Sequence, residues 1–309
     1  MTKTAFLFAG QGAQSPGMGK GLCEQSAAAR KAFTLASYSL GRDIAKLCFE
    51  GTRDELAETR NTQPCVLTVD IAALWALREA GVEASHTAGF SLGEYAALVC
   101  AGVLSFEEAI ALVQKRAVFM QEACPEGSAM MAVLGVDTEA VESVCAQARA
   151  TAGEVWAVNY NCPGQTVISG MPKALDAVRE LFAGQKAKLI KLPVSGAFHT
   201  PFMEPASKKL RHEFAGLSWN TPSIKVFANA TAEPYGPGNA PELLCAQVMN
   251  PVRWEESIRA MLCDGVEAFV ELGPGKTLSG FLKRIAPETP VYRVDDDETL
   301  SETLEALTG

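Results

Sequence analysis

The pentapeptide Gly89-Phe90-Ser91-Leu92-Gly93 sets a serine between glycines at minus two and plus two, the spacing of a nucleophile elbow. An apolar run from Thr87 to Phe90 enters it, and an alanine-rich helical run from Glu94 to Ala101 leaves it. The chemistry served by such a turn is covalent: an exposed hydroxyl attacks an acyl carbon and carries the acyl group as an ester. The flanking glycines let a strand reverse into a helix and let the serine hold a strained backbone. The helix start also puts unpaired backbone N–H groups beside the hydroxyl, where a tetrahedral oxyanion forms. Chance supplies the five-residue pattern often; the strand before it and the helix after it make it specific.

A serine nucleophile needs a base, and the chain has three histidines: His86, His199 and His212. His86 starts the strand that feeds the elbow, which places it at the far end of that strand. His212 stands in the charged helical stretch Lys208-Lys209-Leu210-Arg211-His212-Glu213 and reads as solvated. His199, in Gly196-Ala197-Phe198-His199-Thr200-Pro201, falls in a loop after a strand and before a helix, where the catalytic residues of α/β sheets gather. His199 is the expected base.

The elements that must position this pair follow from pattern. Thr4 to Ala9 reads as a buried strand running into Gly10-Gln11-Gly12-Ala13-Gln14-Ser15, which fails as a dinucleotide fingerprint because Ser15 replaces the third glycine and Pro16 follows. Gly275-Lys276-Thr277 ends like a phosphate loop, but Val270 occupies the first glycine position of that motif. Helical periodicity dominates Gly17 to Gly81, with Pro64 expected in the first turn of a helix to about Ala80. Ser105 with Glu108 reads as a capping box for a helix carrying Arg116 and ending near Cys124-Pro125. An alternation follows: strand Ser128 to Leu134, helix Thr138 to Arg149, strands Val155 to Asn159 and Thr166 to Ser169, helix Lys173 to Ala183, strand Lys188 to Val194. That order, β-α-β-β-α-β, predicts a ferredoxin-like unit. The fold class expected is α/β: an α/β-hydrolase-like large subdomain with a central parallel sheet, formed discontinuously by 1–126 and 196–309, and an inserted ferredoxin-like small subdomain at 127–195. Strands near Ile224 to Ala228 and at Ala268 to Leu272 complete the large sheet.

Composition bounds the function classes. At 309 residues and 48% hydrophobic, the chain can bury a large core. A net charge of −9 without a long Lys/Arg run speaks against nucleic acid. Lys186, Lys188 and Lys191, and likewise Lys208, Lys209 and Arg211, read as solvated surfaces, with a landing site for an acidic partner or a nucleotide phosphate as the alternative. No signal-peptide pattern opens the chain and no apolar run reaches the roughly 18 residues of a membrane span, so a cytoplasmic, membrane-free protein is expected. Nine cysteines without a C-x-x-C pair argue for reduced thiols and against a zinc site, with Cys23, Cys100 and Cys145 read as small core residues.

Taken together, Gly89-Phe90-Ser91-Leu92-Gly93-Glu94-Tyr95-Ala96-Ala97-Leu98, the upstream Phe8-Ala9-Gly10-Gln11-Gly12-Ala13-Gln14 and the downstream Phe198-His199 resemble malonyl-CoA:acyl carrier protein transacylases. Thr62-Gln63-Pro64, Asn159-Tyr160-Asn161 with Pro163-Gly164-Gln165, Gln247 with Asn250-Pro251-Val252, and Glu271-Leu272-Gly273-Pro274-Gly275-Lys276 match the same family in the same order.

The resemblance implies a ping-pong acyl-serine mechanism: Ser91 attacks malonyl-CoA while His199 takes its proton, and the phosphopantetheine thiol of an acidic acyl carrier protein then reverses the step. It implies no bound cofactor and no metal, with malonyl-CoA as substrate and fatty acid biosynthesis as the setting. Backbone N–H groups of Leu92 and Gln11 would hold the oxyanion, close approach of backbone to substrate explaining the glycines beside Gln11. A main-chain carbonyl near Gln247 would orient the imidazole in place of an aspartate. Arg116 would pair with the malonyl carboxylate, although its residue-level reading is an ordinary helix-surface arginine. Phe198 would leave no room for an α-methyl branch, Gln63 would line the same pocket, and Asn159 and Asn161 either contact substrate or shape a turn. Phe90 departs from the family, which usually has histidine there, so a ring donor and acceptor is replaced by an apolar ring beside the substrate. Alternatives are a discrete acyltransferase serving a polyketide synthase, a hydrolase of acylated carrier proteins, and an inactive binding subunit.

Overall fold

Among the described residues, 3–308 of the computed structural model, nine strands form: β1 (Thr4–Phe8), β2 (His86–Gly89), β3 (Ala129–Leu134), β4 (Val155–Cys162), β5 (Gln165–Gly170), β6 (Lys188–Ser195), β7 (Lys225–Phe227), β8 (Ala268–Leu272) and β9 (Val291–Val294). Met1, Thr2 and Gly309, at the ends of the expected large unit, lie outside the described residues. The chain is a mixed α/β structure with two sheets. One is parallel, in the order β7-β2-β1-β8-β9; the other is antiparallel, in the order β4-β5-β3-β6.

Side chains alternate across a strand, and both faces of the parallel sheet are covered, so β1 reads as an unbroken apolar run. Phe6 and Phe8 enter the larger core, while Ala5 and Leu7 face a second cluster with Trp254, Ile258, Met261 and Phe269. The same alternation in β3 sends Met130 and Ala132 into the larger core and Ala129, Met131 and Val133 against the Thr138–Ala152 and Pro172–Leu181 helices. Fully burying each Leu, Phe or Met in this way stabilises by roughly 1.5–3 kcal/mol.

Four sequence expectations need correction. Pro64 is the sixth residue of the Thr59–Glu79 helix rather than part of its first turn. It withholds the N–H that the Arg60 carbonyl would accept, and Arg42 Nη2 fills that acceptor at 3.0 Å, which lets the helix begin a turn earlier. Strand β9 was not foreseen, because Val291-Tyr292-Arg293-Val294 is short and lies at a sheet edge, where half-exposed residues carry little periodic signal. β4 runs on to Cys162, since Pro163-Gly164 makes the hairpin turn to β5. Of the three cysteines read as core, Cys100 and Cys145 are buried but Cys23 is only partly so; all nine are free thiols. No helix among the described residues is long and apolar enough to cross a membrane.

Candidate active site

The loops at the carboxyl ends of β1, β2 and β8 meet beside the antiparallel sheet and enclose a cleft of about 250 Å³. Such a position outside the carboxyl edge is where parallel sheets place their ligands. Ser91 sits at its floor with φ 53, a left-handed backbone that costs a serine about 1–3 kcal/mol. Asn229 holds the turn: its Oδ1 accepts from Ser91 N at 2.7 Å and its Nδ2 donates to the Gly89 carbonyl at 2.7 Å.

The elbow glycines serve close approach, and the positive φ falls on the serine alone. A Cβ on Gly89 would stand 1.9 Å from the Gly93 carbonyl carbon and oxygen, and one on Gly93 would stand 2.5 Å from the carbonyls of Phe8 and Ala9. Any side chain there would push the Gly93–Cys100 helix off the strand ends. The glycines beside Gln11 are likewise explained by the protein's own backbone, not by room for substrate. A Cβ on Gly10 would meet the Phe90 carbonyl oxygen at 2.5 Å, and Gly12 has φ 108.

His199 Nε2 lies 2.8 Å from Ser91 Oγ, and His199 Nδ1 lies 2.9 Å from the main-chain carbonyl of Gln247. A carbonyl only accepts, so Nδ1 carries the hydrogen and Nε2 presents its lone pair to the serine hydroxyl. Burial, and then the positive charge of Arg116, push the His199 pKa down to about 4, so the ring is neutral and able to take a proton at pH 7.

Arg116 is fully buried in the Phe106–Ala123 helix, on the stripe of Ala109, Val113, Ala117 and Met120. A cation on an apolar stripe was the sequence signal for its burial, and it overrules the surface reading. Its guanidinium donates to Gln63 Oε1 at 2.8 Å, Gln247 Oε1 at 2.9 Å and Ser91 Oγ at 3.1 Å, and packs 5.8 Å from the Tyr95 ring centroid. No carboxylate among the described residues lies within ion-pair distance of it, and its Nε has no partner. Burial lowers its pKa.

The fully buried Gln247 side chain joins these parts. Its Nε2 donates to the Ser91 carbonyl at 2.6 Å and to Glu94 Oε2 at 2.8 Å. Glu94, also fully buried, accepts as well from the Tyr235 hydroxyl and from Asn229 N at 3.3 Å. Burial raises its pKa to about 7 against these donors. Sequence reasoning assigned no role to Glu94, Asn229 or Tyr235; for the last two no local pattern marks them.

Of the expected site residues, Gln11, Gln63, Phe90, Ser91, Asn159, Phe198 and His199 line the cleft, whereas Leu92, Arg116 and Gln247 stand behind that lining, Arg116 touching it at Ser91 Oγ. The Leu92 and Gln11 backbone N–H groups have no hydrogen-bond acceptor among the described residues, as an oxyanion site requires. The Phe90 ring stands edge-on to Trp254 at 5.4 Å and tilted to Phe281 at 6.0 Å, making an apolar wall where a histidine would have offered hydrogen bonds. Asn161 also lines the cleft, and its Oδ1 has no partner. The phosphate-loop look-alike has a different occupant: the Glu271 carboxylate accepts from Leu278 N at 2.9 Å and Ser279 N at 2.8 Å, filling the helix N-terminus where a phosphate would sit.

A strained serine, a neutral imidazole aligned by a carbonyl, and free N–H donors on two loops suit a serine that takes up an acyl group and passes it on. The chain belongs to the acyl transferase family, whose domain model matches residues 5–293. It is 43% identical to the malonyl CoA-acyl carrier protein transacylase of Bacillus subtilis strain 168, over 99% of this chain and 98% of that one. The crystal structure of the Clostridium perfringens malonyl CoA-acyl carrier protein transacylase superposes with a TM-score of 0.95 at 41% identity, covering 99% of this chain and 97% of that one. A malonyl-transacylase solved in complex with a type II polyketide synthase acyl-carrier protein superposes with a TM-score of 0.94 at 36% identity, covering 99% and 100%.

Proposed function

We propose that this enzyme transfers the malonyl group of malonyl-CoA to the phosphopantetheine thiol of an acyl carrier protein for fatty acid biosynthesis. The observation that carries the reading is the shared contact at Ser91 Oγ: His199 Nε2 at 2.8 Å on one side, and on the other Arg116 at 3.1 Å, a buried cation with no carboxylate in ion-pair contact among the described residues. His199 takes the Ser91 proton as Oγ bonds to the thioester carbon, and the Leu92 and Gln11 N–H groups hold the oxyanion. Collapse breaks the C–S bond, and the proton on His199 leaves with coenzyme A. The carrier-protein thiol then gives its proton to His199, attacks the ester, and Ser91 recovers its hydrogen. Gln247 keeps the imidazole turned through its carbonyl.

Arg116 binds the malonyl carboxylate, Gln63 holds the guanidinium, and Phe198 limits the α-carbon; Phe90 and Asn159 flank the acyl thioester. Strand order supports an inserted ferredoxin-like unit at 127–195 in an α/β-hydrolase-like body of 1–126 and 196–309, the cleft lying between them. Lys188 and Lys191 are exposed on the edge strand β6, close to the cleft residues Leu192 and Val194, and suit an acidic carrier protein. A cytoplasmic setting is part of the same reading and agrees with the free thiols.

The second reading, a polyketide carrier protein as acceptor, has in its favour the similarity to the solved polyketide complex. Intact mass of the protein after incubation with malonyl-CoA, then with each type of carrier protein, tests both. A malonyl adduct on Ser91 that moves to a carrier thiol is expected. Loss of the adduct to water alone would make the enzyme a hydrolase, and no adduct would refute the assignment.

A further inference from the structure

Glu94 is a buried acid that the transfer steps above do not use, yet Ser91 through its backbone, His199 through the Gln247 carbonyl and Arg116 through the Gln247 amide each reach it by two hydrogen bonds. Gln247 accepts from Arg116 with one end of its amide and donates to Glu94 and the Ser91 carbonyl with the other, while its own carbonyl holds His199. Reversing that amide would set its oxygen against the Ser91 carbonyl and the Glu94 carboxylate, and its NH2 against the Arg116 donor, so the carboxylate helps fix its direction. Asn229 gives Glu94 its N–H and Ser91 its side-chain oxygen. With Glu94 ionised, the Arg116 guanidinium and the Glu94 carboxylate are a buried positive and a buried negative charge joined by a single amide.

Resting on the malonyl reading, we propose that Glu94 is a positioning residue and the exchangeable counter-charge of Arg116: it balances the guanidinium in the empty enzyme and gives up that role, by taking a proton, when a carboxylate-bearing acyl group is loaded. A malonyl carboxylate on Arg116 would otherwise leave two negative charges around one cation inside the protein, an arrangement that low dielectric penalises. An acetyl group brings no charge and asks for no proton.

The groups facing Glu94 do not supply this exchange themselves. Arg116 reaches it from the Phe106–Ala123 helix, Tyr235 from the segment after β7, Tyr95 from its own helix, and His199 through Gln247. Burial pushes the Tyr95 and Tyr235 hydroxyls up, and His199 is already neutral above about pH 4, so among these facing groups Glu94, raised to about 7, is the one that titrates near neutrality.

The test is the pH dependence of first-turnover acylation of Ser91, read by intact mass with malonyl-CoA and acetyl-CoA in parallel. In the wild type the malonyl-to-acetyl rate ratio is expected to fall roughly tenfold from pH 6 to 8.5, as Glu94 ionises and resists a second negative charge. In Glu94→Gln the ratio should be independent of pH. The same slope in both proteins would overturn the proposal, as would a flat wild-type ratio. A purely structural Glu94 would slow both donors alike and leave the wild-type slope intact. Should Glu94→Gln not fold, Tyr235→Phe keeps the carboxylate but removes a donor to it, so the break should move to higher pH; an unmoved break overturns the proposal. Absence of any malonyl adduct on the wild type would refute the malonyl reading instead.

Discussion

Replacing Arg116 by alanine should collapse the enzyme's preference for malonyl over acetyl donors, and the structure sets the size of the effect. In the empty site the guanidinium has three neutral acceptors: Gln63 Oε1, Gln247 Oε1 and Ser91 Oγ. Acylation turns Ser91 Oγ into an ester oxygen, a poor acceptor, and so strips one partner from a buried cation. Malonyl restores it with a carboxylate oxygen, whereas acetyl restores nothing. A buried charged donor left unpaired costs about 1–3 kcal/mol, a factor of roughly ten to a hundred in relative acylation. Gln63 and Gln247 still hold the two terminal nitrogens, which keeps the effect within that range. The assay is intact-mass detection of acyl-Ser91 after millisecond mixing with each donor. In Arg116→Ala the malonyl-to-acetyl ratio should drop by that ten- to hundredfold factor, with malonyl acylation falling more than acetyl. An unchanged ratio would remove Arg116 from carboxylate recognition and refute the reasoning.

Other outcomes follow from the same geometry. His199→Ala should slow Ser91 acylation by about 10²–10⁴, and wild-type acylation by acetyl-CoA should lose rate only as pH falls through about 4, where His199 protonates. The same depressed pKa favours the folded state above pH 6.5, and roughly 3 kcal/mol of that should be lost as pH falls from there towards 4, because the unfolded chain binds the proton first; urea titrations at several pH values measure it. Gly89→Ala places a Cβ 1.9 Å from backbone atoms of Gly93 and should destabilise by about 3 kcal/mol or more with loss of acylation, read by chemical denaturation and by mass. Phe198→Ala should raise acylation by an α-methyl-branched malonyl thioester relative to malonyl-CoA, since Phe198 lines the cleft and is nearly buried; an unmoved ratio would free Phe198 of that role.

The pairing of Ser91 with His199 was legible from local rules. Gly89 and Gly93 bracket Ser91 between an apolar strand run and a helical run, the context that marks an elbow, and elimination among three histidines left His199, because strand direction put His86 at the wrong end and charge put His212 in water. The alternation of strands and helices between 129 and 195 followed the predicted one because each element carries its own periodicity. The parts carried by resemblance alone, the Gln247 carbonyl and the Arg116 pairing, had no local pattern strong enough to stand unaided, although the apolar stripe around Arg116 marked it for burial.

What only the tertiary structure decided is which groups satisfy which. Ser91 and Asn229 lie 138 residues apart, Glu94 and Tyr235 141, and the Ser91 carbonyl and Gln247 156. Hydrogen bonds of that separation follow from how the parallel sheet orders its strands, and neither residue type nor spacing encodes them. The same limit hid the purpose of the glycines around Gln11, Gly10 making way for the Phe90 carbonyl and Gly12 taking a positive φ, and the Arg42 contact that lets a helix continue through Pro64. The elbow at Ser91 could be read along the chain because strand, turn and helix are local. The charge balance around Ser91 could not, because a buried charge is defined by the atoms that close over it.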